Sequence, residues 1–319
     1  MEKSKPISLT KATIGVDIGG TKIESALVRL DGSIATSIKI NTPSNPNNII
    51  QAIYALIDGI LLERKEFIKG IGVGAPGQVE LHTGKVIYAP NLNWHNVPLK
   101  ELLQKKYSLS VFVDNDVRCA MLAEYKFGAA KNISNFFCVF VGTGIGGGIM
   151  IKDKVLRGIT NSAAEIGHIT IEKDGSKCNC GNYGCLENIA SGPKIIEYVI
   201  EMLKKNRSII KDIVNNDLSK INIDVIQKAF ELNDKVAIEV LKRAADYIGA
   251  GVASLINILN PEMVILGGGV IDASPSLFEI IKKIIFERVL NISKSNLKIV
   301  VPKLREHVGT IGASLLIES

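Results

Sequence analysis

The chain has 319 residues, 46% of them hydrophobic, and 38 Lys and Arg against 32 Asp and Glu give it a formal charge of +6. That length and apolar content suit a soluble globular protein of two domains with real cores. The lysines are spread over many segments, which reads as a solvated surface with a modest pull on anionic nucleotides, and no nucleic-acid partner is expected. No apolar run follows the basic residues 1–11 before Asp17, so no secretory leader is expected. The most apolar region, residues 252–271, is interrupted by Asn257, Asn260, Pro261 and Glu262, so no membrane association is expected and the cytoplasm is the expected compartment.

In chain order, residues 13–18 form a short apolar strand ending in a glycine turn. Strand-type runs at residues 23–30 and 33–40 follow, joined by Asp31-Gly32, a strong hairpin signal. Residues 47–63 carry apolar side chains at helical spacing, residues 69–75 return to strand, 98–107 are a short helix, 110–114 a strand and 116–127 a helix. A second block opens with strands at 136–141 and 145–151 on either side of a glycine-rich turn. Helices over 193–204, 224–232 and 235–260 come next, the last with Ala237, Val240, Leu241, Ala244, Ile248, Val252, Leu255 and Leu259 on one face. A strand at 263–266 runs into Gly267-Gly268-Gly269, and a helix over 276–290, a strand over 297–300 and a short apolar helix over 309–317 close the chain. Hairpins leading into α/β alternation predict sheets flanked by helices, and the two glycine-turn openings hint at a duplicated fold.

The densest chemistry lies between residues 141 and 187. His168, Cys178, Cys180 and Cys185 supply four ligands of the kind that suits tetrahedral zinc, and Gly181 and Gly184 let the backbone wrap a small sphere. Ordinary buried thiols are the alternative. Four protein ligands leave no open position for water, so the predicted zinc is structural, with the role of holding Glu165, His168 and Glu187 in place. The remaining two of the five cysteines, Cys119 and Cys138, sit in apolar sequence and read as small buried side chains outside any disulfide framework.

Three glycine clusters could meet a nucleotide. Asp17, Gly19, Gly20, Thr21 and Lys22 form a strand-to-strand turn in which exposed amides and the Thr21 hydroxyl can cradle phosphate, while Asp17 acts through Mg²⁺ and its bound water. Gly142, Thr143 and Gly144 open a second turn. Gly142, Gly144 and Gly147 have dinucleotide-fingerprint spacing, but the chain continues as strand where that motif needs a helix, so a phosphate-gripping hairpin is preferred. Gly267, Gly268 and Gly269 follow a strand and could let an adenosine approach the backbone. No Walker A lysine motif is present.

Two hairpin phosphate loops, a third glycine turn and a mid-chain carboxylate together resemble the superfamily of sugar kinases and actin. The stretch Glu165-x-Gly167-His168, then Cys178-x-Cys180-Gly181-x-x-Gly184-Cys185-Leu186-Glu187, is similar to the ROK family of bacterial sugar kinases and sugar-responsive repressors. The resemblance runs from about Thr13 to the C-terminus. It implies an α/β, two-domain ribonuclease-H-like (actin-like ATPase) fold with an interdomain cleft. The expected division is a small domain over 1–116, completed by a C-terminal helix within 305–319, and a larger domain over 117–304 carrying the knot.

By the same resemblance Asn115 and Asp116 fall on a sugar-binding Asn and the catalytic Asp, and Gly77, Asn91, Glu165, His168 and Glu187 fall on sugar contacts. A carboxylate at a strand end can take the proton of an attacking hydroxyl, which agrees. Residues 114–116 could otherwise be only a helix N-cap. His168 can bind zinc with one nitrogen and a sugar oxygen with the other. Ala75-Pro76-Gly77 and Ala89-Pro90-Asn91-Leu92-x-Trp94 resemble the glucokinase branch, with departures at Gln78-Val79-Glu80 and Ala164. Trp94 is either a stacking platform or core. The expectation is an ATP-dependent glucokinase acting on the 6-hydroxyl, assembled as a homodimer or homotetramer. Kinases for N-acetylmannosamine, N-acetylglucosamine or fructose are alternatives, as is a sugar-sensing regulator. A repressor needs a DNA-binding head, and few residues precede Thr13.

Overall fold

A computed structural model describes residues 11–317, and the expectations for residues 1–10 and 318–319 lie outside it. The chain divides into two compact units. Unit 1 comprises the described residues up to Asn132, the segment Arg157–Ala163 and the chain from Lys303 onward; unit 2 comprises Ile133–Leu156 and Ala164–Pro302.

Unit 1 is built on a five-stranded sheet. Strands β1 (Lys11–Ile18), β2 (Lys22–Arg29) and β3 (Ile34–Asn41) form an antiparallel meander, and β4 (Phe67–Ala75) lies parallel to β1 on its other side. A small separate sheet of β5 (Gln78–Val79), β6 (Val86–Ala89) and β7 (Trp94–Val97) had no counterpart in the sequence reading. Strand β8 (Val111–Asn115) then completes the main sheet in the order β3-β2-β1-β4-β8. One face of that sheet buries Ile14, Val16, Ile23, Leu27, Ile71 and Val73 with the apolar stripe of α1 (Pro46–Glu63), in a core that also takes in Leu99 and Leu103 of α2 (Leu99–Tyr107). Trp94 is 2% exposed within this core, with Nε1 donating to the Pro46 carbonyl at 3.4 Å, so it is packing rather than a stacking platform.

On the other face lie α3 (Asp116–Phe127) and a C-terminal helix, Val308–Leu315. That helix comes so close that a Cβ at Gly15 would strike the Thr310 carbonyl and one at Gly72 the Ala313 carbonyl. This contact explains why the division expected after residue 116 falls elsewhere. Helix α3 packs on the C-terminal helix and on β4, so the first unit continues to Asn132.

Unit 2 repeats the plan. Strands β9 (Phe136–Val141), β10 (Ile145–Ile151) and β11 (Lys154–Val155) form an antiparallel meander. The connection onward holds the short helices α4 (Glu187–Ala190), α5 (Gly192–Met202) and α6 (Ile210–Ile213), then α7 (Ile223–Glu231) and α8 (Lys235–Leu259). Helix α8 is capped by Asp234, whose Oδ1 accepts the Ala237 N–H at 3.0 Å. It buries Ala237, Val240, Leu241, Ala244, Ile248 and Val252, the face its periodicity marked, with Leu255 and Leu259 partly buried. Strand β12 (Met263–Gly267) pairs parallel with β9; helices α9 (Gly269–Ala273) and α10 (Pro275–Arg288) follow, and β13 (Lys298–Val300) closes a sheet of order β11-β10-β9-β12-β13. No helix among the described residues is long and apolar enough to cross a membrane.

Candidate active site

In unit 1 the β1–β2 turn is pinned from within: the Gly19 N–H donates to the Lys22 carbonyl at 2.9 Å, and Thr42 binds the Gly19 carbonyl through Oγ1 at 2.7 Å and the Thr21 carbonyl through its amide at 2.9 Å. Gly20, Thr21 and Lys22 are exposed, and a Cβ on Gly20 would lie 3.4 Å from Cβ of Asn91. Asp17, at the end of β1, has its carboxyl against Gly309 at the start of the C-terminal helix. Burial first, then the Asp116 and Glu24 carboxylates, push the Asp17 pKa up to about 7 against the opposing pull of Lys39. Asp17 and Asp116 therefore share one electrostatic neighbourhood.

Asp116 begins α3, and its Oδ1 accepts the Val117 N–H at 2.8 Å. Asn115 is the N-cap: its Oδ1 accepts from the Val117 and Arg118 amides at 3.0 and 3.2 Å, and its Nδ2 donates to the Gly77 carbonyl at 3.2 Å. Gly77 has φ +83, and a Cβ there would collide with the Tyr88 carbonyl. Unit 1 thus gathers Asp17, the 19–22 turn, Gly77, Asn91, Asn115 and Asp116.

Beneath this junction lies a buried network that the sequence did not signal. Asp114, 1% exposed, is 3.0 Å from Nε of the equally buried Arg118 and pairs with Arg157 Nη1. Arg118 Nη1 donates to the Asn161 carbonyl at 2.8 Å, Arg157 Nη1 to Asn161 Oδ1 at 3.1 Å, and Asn161 Nδ2 to the Val79 carbonyl at 2.9 Å. These contacts hold Arg157–Ala163 to unit 1. Cys119, next along α3, is fully buried, and burial followed by the Asp114, Asp17 and Asp116 charges raises its thiol well above the ordinary range. Cys138 is also fully buried, and neither thiol is in a disulfide.

In unit 2 the β9–β10 turn is tight, with Val141 paired to Ile145 and the Gly142 N–H donating to the Gly144 carbonyl at 2.8 Å. Thr143 is exposed at its tip. The Ile145 N–H donates to Glu187 Oε2 at 2.7 Å, and the Gly192 N–H to the Gly142 carbonyl at 2.8 Å. Gly268, at φ +92, stands so close to the Val141 backbone that a Cβ would lie 2.5 Å from its carbonyl oxygen. The turn at 142–144 and the turn at 267–269 are therefore neighbours, and the second is followed by helix α9 where the sequence suggested a turn alone.

The knot closes on itself. One ligand atom from each of His168, Cys178, Cys180 and Cys185 lies within 4.8 Å of the others, with Cys180 Sγ 3.6 Å from Cys185 Sγ and Cys178 Sγ 3.9 Å from His168 Nδ1. Tetrahedral zinc with ~2.3 Å bonds to sulfur places two thiolates about 3.8 Å apart, so the donor set fits that ion. Nδ1 faces the knot, which leaves Nε2 for another partner. Glu165 precedes the single turn Ile166–His168 and is half-buried, and Ala164 adopts φ +71, a conformation that suits glycine.

A sequence model of the ROK family matches residues 13–319. The chain belongs to the ROK family. Among ROK relatives, it is 36% identical over 274 residues to a glucokinase of Streptomyces coelicolor, covering 85% of this chain and 86% of that one. It is 33% identical to a xylose repressor of Caldicellulosiruptor bescii, covering 96% of this chain and 78% of the repressor. The solved ROK glucokinase of Streptomyces griseus, in complex with glucose and AMPPNP, superposes with a TM-score of 0.84 at 33% identity, over 96% of this chain and 98% of that one. The ROK fold of the sugar kinases, of the actin-like ATPase class, is therefore the fold of this chain.

Proposed function

We propose that this ROK chain is an ATP-dependent hexose kinase that phosphorylates the 6-hydroxyl of glucose, with Asp116 as general base. The observation that carries the reading is the convergence, in one unit, of Asp116 at the head of α3 with the Asp17–Lys22 glycine turn, in a chain related to glucokinases. A sugar hydroxyl is a poor nucleophile at neutral pH. A carboxylate within hydrogen-bond reach orients it and accepts its proton as the loose phosphoryl-transfer transition state resolves. Asn115, capped into α3 and tied to Gly77, holds Asp116 in register.

Sugar contacts are assigned to Gly77, Asn91, Asn115, Asp116, Glu165, His168 and Glu187, and nucleotide contacts to Asp17, Gly19, Gly20, Thr21, Lys22, Gly142, Thr143, Gly144, Gly267, Gly268 and Gly269. ATP supplies the phosphoryl group and Mg²⁺ would neutralise its charge. Asp17 would face that cation through water, and its crowding by Asp116 and Glu24 supports that role. Zinc, held by His168, Cys178, Cys180 and Cys185, would supply a fixed anchor for the residues around it, and His168 Nε2 would donate to the sugar.

A panel of glucose, N-acetylmannosamine, N-acetylglucosamine and fructose with coupled ADP detection tests class and substrate together. Glucose should be turned over fastest. Asp116→Asn keeps shape and removes the proton acceptor, so kcat should fall by at least roughly 10²-fold with sugar affinity little changed. Intact kcat with weakened sugar binding would reduce Asp116 to a binding group. Relatedness to the xylose repressor favours a second reading, a sugar-sensing regulator, and that reading predicts hexose binding with no ADP formed from any sugar in the panel.

A further inference from the structure

Glu187 sits between two functions. It opens α4 two residues after Cys185, where the kinase reading gives it a sugar hydroxyl, yet its Oε2 is already committed to the Ile145 N–H of the glycine turn at 2.7 Å. A Cβ at Gly144 would overlap that same oxygen, so glycine is the residue that lets the carboxylate in. The other end of the same segment is tied to the same turn, since the Ser191 N–H donates to the Glu187 carbonyl at 3.2 Å and the Gly192 N–H to the Gly142 carbonyl at 2.8 Å. Gly167, beside His168, packs so closely that a Cβ would strike the Ile145 carbonyl. Two of the turn's amides, those of Gly142 and Ile145, are thus engaged by the protein, and the shape the turn presents to phosphate depends on where the Glu187 carboxylate lies.

We infer that Glu187 is a positioning residue for the nucleotide turn as well as a sugar contact, so that one carboxylate couples sugar binding and nucleotide binding within unit 2. The inference rests on the hexose-kinase reading, which assigns both the sugar contact of Glu187 and the nucleotide contacts of residues 142–144. A hydroxyl bound to Oε1 restrains the carboxylate, and a restrained Oε2 holds Ile145 and hence residues 142–144. Coupling of this kind is reciprocal: whatever the sugar does for the nucleotide, the nucleotide does for the sugar.

The test is direct binding by titration calorimetry on the full chain, with Mg·AMPPNP and with glucose as separate probes. Glu187→Ala should weaken Mg·AMPPNP binding, measured without sugar, by roughly tenfold, the scale of losing one hydrogen bond to a charged acceptor. Glu187→Gln keeps an oxygen that accepts the Ile145 N–H, so its loss should be less than roughly threefold for the nucleotide while glucose affinity drops. The reciprocal variant is Gly144→Ala. Its methyl displaces the carboxylate, and glucose binding measured without nucleotide should weaken although residue 144 is assigned no sugar contact. Wild-type Mg·AMPPNP affinity in Glu187→Ala, or wild-type glucose affinity in Gly144→Ala, would overturn the inference. A wild-type chain that binds no glucose would instead overturn the substrate reading, and the two nucleotide arms would then decide the role of Glu187 alone.

Discussion

The two units share one sheet plan and differ in what hangs on it. Each sheet runs third strand, second, first, then two parallel strands, and each has a glycine turn between its first two strands. In unit 1 the connection from the meander to its first parallel strand is short. A single helix, α1, carries the chain from the meander to β4, and the acid beside the turn, Asp17, comes from the first strand itself. In unit 2 the corresponding connection, between β11 and β12, holds the knot and α4 to α8, and the acid at the turn, Glu187, is delivered by that insertion. A four-residue turn held by Thr42, just after the third strand, in one unit thus corresponds to a three-residue turn held by Glu187 of the inserted segment in the other.

This contrast can be broken most severely at the knot. Structural zinc contributes about 10–16 kcal/mol of apparent binding energy in small zinc domains, so the proposed metal should outweigh any single side chain in unit 2. Cys180→Ser should lower both zinc content and melting temperature, and activity should fall with them. Metal analysis of the purified wild-type chain that finds no zinc would remove the proposal.

Unit 1 has an ionic counterpart. Arg118 is 2% exposed between Asp114 and the Asn161 carbonyl, and removing one partner of a buried pair typically costs about 3–5 kcal/mol. Arg118→Ala should therefore destabilise unit 1 by that order and loosen Arg157–Ala163. Chemical denaturation gives the first quantity, and faster cleavage at residues 157–163 in limited proteolysis gives the second. Unchanged stability would mean that Arg157 alone satisfies Asp114.

How much of this was legible follows from sequence separation. The two hairpin glycine turns, the long face of α8 and the hairpin at Asp31-Gly32 are local patterns and are present as the residues suggested, and the His and three Cys of the knot lie together in space. The topological repeat also showed, faintly, in the two hairpin openings. By contrast, Arg157 and Asn161 meet Asp114 and Arg118 across 43 to 47 residues, and nothing in a window of sequence marks a pairing of that range. For the same reason the segment Arg157–Ala163 could not be assigned to unit 1, nor Trp94 to the core. The bond from Glu187 to Ile145 spans 42 residues and was equally hidden behind the carboxylate's expected sugar contact.

A smaller effect separates Asp17 from the carboxylates elsewhere. Its pKa in the folded chain, about 7, lies above the ordinary 3.8, so the folded state holds the proton more tightly than the unfolded one. Stability from this group is fully present below about pH 4 and is lost as pH rises through 7. Asp17→Asn, permanently neutral, should melt higher than wild type at pH 8, with the gap closing as pH falls, while phosphotransfer is lost. Melting curves across that range in the absence of nucleotide check the sign. A gap that widens on acidification would show that Asp17 is ionised and stabilised in the fold.

The mildest test uses one substitution at two serines. Ser25 lies on β2 between Ile23 and Leu27, which point into the α1 core; it is fully buried and, among the described residues, its hydroxyl has no hydrogen-bond partner. Ser274 in unit 2 is equally buried, but its hydroxyl donates to Gln227 Oε1 at 2.6 Å and accepts the Leu277 N–H at the start of α10 at 3.4 Å. An unmade buried hydrogen bond costs about 1–3 kcal/mol, whereas a made one contributes about 1 kcal/mol net. Ser25→Ala removes a penalty and leaves a gap of only one oxygen, so it should stabilise by about 1 kcal/mol. Ser274→Ala also strands the Gln227 carbonyl and uncaps α10, so it should destabilise by about 1–2 kcal/mol. Denaturant midpoints measured side by side read both signs. Equal destabilisation by the two alanines would mean that the Ser25 hydroxyl is satisfied in solution by water reaching β2, and unit 1 would then tolerate polar groups in its core as unit 2 does, by giving them partners.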